Sequence, residues 1–135
     1  MVAGGTGTRM AQPVAKQFLM LEGLPLMWWT LRRFHAALEK LHVVLVLHES
    51  LMDEFGRLEQ EFGPAGVDAV VEGGEERWHS VANGLRTLPD SGVVGIHDAV
   101  RPFVRMSSVS DVIKQTRASG AASLALAITD TVRKI

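Results

Sequence analysis

Gly4, Gly5 and Gly7, followed by Arg9 and Lys16, are the first residues of this sequence whose types and spacing suit a reaction. Closely spaced glycines can point bare backbone N–H groups at phosphate oxygens. Arg9 adds a bidentate phosphate donor and Lys16 a point charge. Such a loop costs backbone entropy on folding, so it calls for positive φ or a ligand pressed against the chain. A tight glycine turn with two solvated cations would use the same residues. Two familiar loops do not fit. The pattern G-x-x-x-x-G-K-[ST] is absent, and G-x-G-x-x-G started at Gly5 needs glycine where Met10 stands.

Three further segments carry polar groups. In "EGGEERWHSVANGL" (72–85), a glycine pair precedes acidic residues that suit a helix start, and Ser80 lies in the first turns. Backbone N–H groups and Ser80 could contact a nucleotide there, or the segment is simply a capped helix. In "IHDAVRPF" (96–103), Asp98 can accept from sugar hydroxyls or face a metal. Arg101 can meet a phosphate, or the two form a structural ion pair. In "ITDTVRK" (128–134), Thr129, Asp130 and Thr131 offer short polar groups, for a ligand or for a turn. The histidines show no convergent ligand spacing, and His97 reads as a packing residue.

These segments need a frame. "HVVLVLH" (42–48) is a continuous apolar run, the pattern of a strand buried on both faces. "VDAVVEG" (67–73), "GVVGIH" (92–97) and "ASLALAIT" (122–129) are similar, and Met1 to Ala3 is a short first strand. Helical stripes lie between them: Met27, Leu31, Phe34 and Leu38; Leu51, Phe55, Leu58 and Phe62; Val81, Leu85 and Leu88. Pro25 suits a first helical turn. Ser50 with Asp53, and Ser108 with Asp111, are spaced like capping boxes. Alternating strands and helices predict a mainly parallel α/β sheet with helices on both faces. Ligands of such sheets bind beyond the carboxyl ends of the strands. The four polar segments, Gly4–Arg9, Gly73–Arg77, Asp98–Arg101 and Thr129–Thr131, all fall at those ends.

Bulk composition narrows the class. The 135 residues suit one domain, with 47% apolar and 21% charged residues. A net charge of −1 gives no broad basic surface, so nucleic acid is not the expected partner. The absence of cysteine removes disulfides and cysteine zinc sites. No signal peptide is visible and no apolar run reaches the roughly 18 residues of a membrane span. A cytoplasmic protein without a membrane partner is expected. Both ends read as cut, so 1–135 is expected to be the N-terminal portion of a longer chain, incomplete at its C-terminus.

Taken together, "VAGGTGTRM", "KQFL" at 16–19, "EGGEERWHSVANGL", "HDAVRPFV" and "TDTVRK" resemble the 2-C-methyl-D-erythritol 4-phosphate cytidylyltransferases, in order and across the whole sequence. The resemblance implies a Rossmann-like nucleotidyltransferase domain that joins CTP to methylerythritol phosphate and releases pyrophosphate, in non-mevalonate isoprenoid synthesis. It implies a homodimer built by a later arm. By position, Ala3, Gly4, Gly5 and Gly7 would line the nucleotide, and Arg9 and Lys16 would hold the triphosphate and the transition state. Gly74, Glu75 and Ser80 would contact the cytidine, with Glu75 where the family often has Asp. Asp98, Ala99 and Arg101 would lie where nucleotide and polyol phosphate meet, and Thr131 would touch the polyol phosphate. Ala11 stands where the family usually has glycine, and Ala15 where it usually has proline. Enzymes acting on another polyol phosphate, such as ribitol 5-phosphate, are similar around the glycine loop and "HDAVRPF". A non-catalytic nucleotide-binding domain would also share the fold.

The reaction implied is electrostatic. A phosphate monoester, with its second pKa near 6, is largely dianionic at neutral pH and needs no strong base. Arg9, Lys16, backbone N–H groups and Mg²⁺ are expected to neutralise the gathering charge. Asp98 is the candidate carboxylate for the metal.

Overall fold

The computed structural model describes residues 1–4 and 14–126 of the chain. Among these described residues, five strands and four helices run in the order β1 (Val2–Ala3), β2 (Met20–Leu21), β3 (Leu24–Pro25), α1 (Leu26–Ala37), β4 (Val44–Leu47), α2 (Met52–Phe62), β5 (Ala69–Glu72), α3 (Arg77–Leu85) and α4 (Met106–Ser119). Single 3₁₀ turns at Lys16–Phe18 and Glu49–Leu51 complete them. β1, β4 and β5 form one parallel sheet in that spatial order, with Val2 opposite Val46 and Leu47 opposite Glu72. β2 and β3 are a small antiparallel hairpin. Among the described residues no helix is long and apolar enough to cross a membrane.

The continuous apolar run of β4 is buried on both faces, as its sequence predicts. Val43, Leu45 and Leu47 join Met27, Trp28 and Leu31 of α1 and Phe55 and Leu58 of α2 in one core. Val46 points the other way, as alternation along a strand requires. There it meets α3 at Gly84, where an added Cβ would stand 2.8 Å from its Cγ2. Only glycine lets that helix lie so close to the sheet. The parallel sheet covered by helices on both faces is therefore present.

Several local expectations are corrected. On α3 the buried positions are Ser80 and Gly84, while Leu85 is exposed. The helix packs through small residues, and the Val81–Leu85–Leu88 stripe is not its seam. Pro25 is the N-cap of α1 rather than its first helical residue. Ser50 does not cap α2; it lies inside the 3₁₀ turn, and the His48 side chain accepts its N–H. Ser108 lies inside α4, whose N-cap Arg105 makes no side-chain bond.

The strand expected over 92–97 is reduced to one bridge. Val2 N donates to His97 O at 2.8 Å and Ala99 N donates to Val2 O at 3.0 Å, a parallel pairing of Val2 with Asp98. Among the described residues this is the one pairing of the segment. The segment 121–126 is irregular. Residues 127–129 lie outside the described residues.

Candidate functional site

The carboxyl ends of β1 and β5, with the segment beside β1, bring Gly4, Gly73–Arg77 and Asp98–Arg101 to one edge of the sheet. Gly4 follows β1 and Gly73 follows β5. Both approach Ser80 so closely that an added Cβ would meet its Oγ at 2.9 and 3.1 Å. Ser80 is 2% exposed. Its hydroxyl accepts the Gly74 N–H at 3.0 Å and donates to the Gly74 carbonyl at 3.4 Å. The first turn of α3 is thereby strapped to the loop it leaves. Gly4, Gly73, Gly74 and Glu75, with His48, Glu49 and Glu72, line a cleft of about 370 Å³, within the range of small-ligand sites.

Ser80 therefore holds the shape of the cleft from beneath and is not one of its lining residues. Ser80→Ala removes its hydrogen bond with the part-buried Gly74 N–H, a loss of about 0.5–1.5 kcal/mol. We expect urea unfolding to show that loss. An unchanged midpoint would remove the strap.

Lys16 opens the 3₁₀ turn that follows the glycine loop, and its side chain is exposed. The turn is fixed from below. Phe18 enters the core, and Gln17 is 2% exposed, with its amide donating to the Ala3 carbonyl at 3.2 Å. Gln17 thus ties the Lys16 turn to the end of β1. Sequence reading passed over it, although a glutamine between a lysine and a core phenylalanine is a usable signal. Ala15 before the turn has φ −60° and ψ 139°, a conformation that proline also favours. The backbone keeps the shape that the family's usual proline would impose.

Asp98 lies between two guanidinium groups. Arg77 Nη2 donates to Oδ1 at 3.0 Å and Arg101 Nε donates to Oδ2 at 2.8 Å. Burial alone raises the Asp98 carboxyl, but the two arginines outweigh it and hold its pKa below the ordinary carboxylate value. The Asp–Arg ion pair considered from sequence is present, and Arg77 is an additional member. Ala99 is fully buried and donates its N–H to β1, so it packs the site and presents no side chain to a ligand. Gly5, Gly7, Arg9 and Thr131 lie outside the described residues.

The expected metal role of Asp98 does not fit this arrangement. Each of its oxygens already accepts from a cation, and two guanidiniums repel a divalent ion. Among the described residues no group of three or more metal-ligating side chains converges. Mg²⁺ often binds mainly through substrate phosphates and water, which requires no such group.

His97 sits behind Asp98, its ring 4.7 Å from Phe34 and its Nδ1 buried without a partner. Burial pushes its pKa below the ordinary 6.5, against the opposing pull of Asp98. The unfolded chain then binds the proton more readily than the folded one. The contribution to stability is complete above pH 6.5 and is lost as pH falls through 6.5 toward the lower folded value. His97→Phe removes the titrating group, so its unfolding free energy should vary less than wild type between pH 7 and the onset of carboxylate titration. Parallel pH curves for the two proteins would rule out His97 as the source.

The comparisons agree with this geometry. A model of the family "2-C-methyl-D-erythritol 4-phosphate cytidylyltransferase" matches residues 1–135. The protein of that name from Bacteroides fragilis is 39% identical over 134 residues, covering 99% of this chain and 61% of the relative. The one from Geobacillus kaustophilus is 39% identical over 133 residues, covering 98% of this chain and 58% of the relative. The crystal structure of 4-diphosphocytidyl-2C-methyl-D-erythritol synthase from Anaerococcus prevotii superposes with a TM-score of 0.67 at 26% identity, over 86% of this chain and 48% of that one. The chain thus spans about three-fifths of the length of these curated relatives. A match over every residue, on a parallel sheet at one edge of which Gly4, Gly73–Ser80 and Asp98–Arg101 meet, leads to one conclusion: the chain belongs to the 2-C-methyl-D-erythritol 4-phosphate cytidylyltransferase family.

Proposed function

We propose that the full-length protein transfers a cytidylyl group from CTP to 2-C-methyl-D-erythritol 4-phosphate. The observation that carries this reading is the meeting of the Gly4, Gly73–Ser80 and Asp98–Arg101 segments at one sheet edge in a chain of this family. A dianionic acceptor phosphate oxygen attacks the α-phosphorus of CTP. The new O–P bond forms as the bond to the β-phosphate oxygen breaks, and pyrophosphate carries away the electron pair. No proton need move.

In this reading the chain's work is placement and charge. Gly4, Gly5 and Gly7 admit the triphosphate, and Arg9 and Lys16 oppose its charge. Gly74 and Glu75 border the cytidine. Asp98, Arg101 and Thr131 meet the acceptor. The triphosphate oxygens would hold Mg²⁺, which would add charge neutralisation to that of Arg9 and Lys16. A cytoplasmic homodimer is the expected form of the whole protein.

Pyrophosphate release by the full-length protein, measured with CTP and either acceptor, tests the proposal. Turnover with methylerythritol phosphate supports it. Preference for ribitol 5-phosphate moves the assignment to another polyol. CTP binding without turnover on either acceptor makes it a non-catalytic domain.

A further inference from the structure

Arg77 is so far without a role in the reaction. It is the first residue of α3, its side chain is 62% exposed, and it reaches across 21 positions of sequence to Asp98. Arg101 reaches the same carboxylate from three residues away, 72% exposed. Ion pairs so open to water add little to stability, and holding two long side chains in place costs rotamer entropy. The convergence therefore needs another reason.

The geometry of the carboxylate gives one. An ionised carboxylate has about four lone-pair sites, two on each oxygen. Arg77 takes one site on Oδ1 and Arg101 one on Oδ2, so among the described residues each oxygen keeps one acceptor site. The carboxyl plane is held at both ends, from two separate segments of the chain. Neutral hydroxyl donors suit the sites that remain, whereas a divalent cation meets two positive groups already in place. A polyol offers several such hydroxyls.

We propose that Arg77 is a positioning residue for the acceptor: with Arg101 it orients the Asp98 carboxylate so that its free sites receive hydroxyl groups of the polyol phosphate. The proposal rests on the cytidylyl-transfer reading. Arg77 acts through Asp98, and α3 thereby links the nucleotide loop at Gly73–Glu76 to the acceptor side of the site.

The test is a double-mutant cycle in the full-length protein with R77M, D98N and R77M/D98N, and with R77K as the conservative variant. R77M should raise KM for methylerythritol phosphate about tenfold, the scale of one hydrogen bond to a charged group. Its KM for CTP and its melting temperature should stay put. R77K should recover part of the loss. The double variant should be no worse than D98N alone, because residues acting as one unit do not add. Additive losses, or an R77M effect on CTP instead of acceptor, overturn the proposal and leave the reaction assigned. A wild-type protein inactive with both acceptors overturns the reaction itself, and the role of Arg77 with it.

Discussion

Replacing Lys16 with alanine in the full-length protein is expected to lower kcat about a hundredfold or more, the loss that follows removal of one preorganised donor at a developing charge. The structure makes this a clean substitution. The Lys16 side chain is exposed, while Gln17 and Phe18 anchor its turn to β1 and the core. Exposed substitutions away from such anchors usually change stability by no more than about 0.5 kcal/mol. The unfolding midpoint should therefore hold while turnover falls. A charge that meets the triphosphate only as the α-phosphorus is attacked lowers kcat and kcat/KM together. A charge that binds CTP equally before and during attack raises KM alone. Steady-state pyrophosphate release at varied CTP separates the two, and near wild-type turnover removes Lys16 from the mechanism. Lys16→Arg should restore only part of the rate, because a planar fork does not reproduce a compact ammonium.

How much of this was legible in the sequence depends on the kind of interaction. β4 could be read because a strand buried on both faces must be apolar at every position. The α2 stripe could be read because Leu51, Phe55, Leu58 and Phe62 repeat at helical spacing, and all four meet the core. The strand ends followed from the alternation of elements. Contacts made by small residues could not be read this way. The seam of α3 runs through Ser80 and Gly84, which carry no hydrophobic signal. Pairing partners were also hidden. Nothing in "GVVGIH" says that the segment meets β1 through a single bridge of Val2 with Asp98 among the described residues. Arg77 stood in a quoted motif, but its partner lies in another one, and the link exists only in three dimensions. The Asp98–Arg101 pair was legible because three residues separate them.

The largest effect on stability is expected at Trp28, which the stripe Met27, Leu31, Phe34 and Leu38 did not include. Trp28 is 1% exposed, its ring centroid lies 5.7 Å from that of Phe55, and its Nε1 donates to the Gly63 carbonyl at 3.1 Å. It joins α1 to both the middle and the end of α2. Trp28→Ala should cost about 3–5 kcal/mol, the transfer and cavity cost of a buried tryptophan. That is a large part of the roughly 5–15 kcal/mol that holds a domain together. Trp28→Phe retains the aromatic contact and removes the part-buried hydrogen bond to the Gly63 carbonyl, so it should cost about 0.5–1.5 kcal/mol. Urea unfolding of the three proteins measures both steps. Equal losses for Phe and Ala would assign the whole effect to the hydrogen bond, and a loss below about 1 kcal/mol for Ala would show that α1 and α2 are held elsewhere. Trp28 touches none of the strand-end segments through these contacts. The folded fraction of Trp28→Ala should therefore keep its turnover per molecule, whereas Lys16→Ala keeps its fold and loses turnover. If Trp28→Ala instead loses kcat with the folded fraction accounted for, the core and the sheet edge are mechanically coupled through α1, whose Leu26 N–H and Trp29 Nε1 both bond to the segment that follows Lys16.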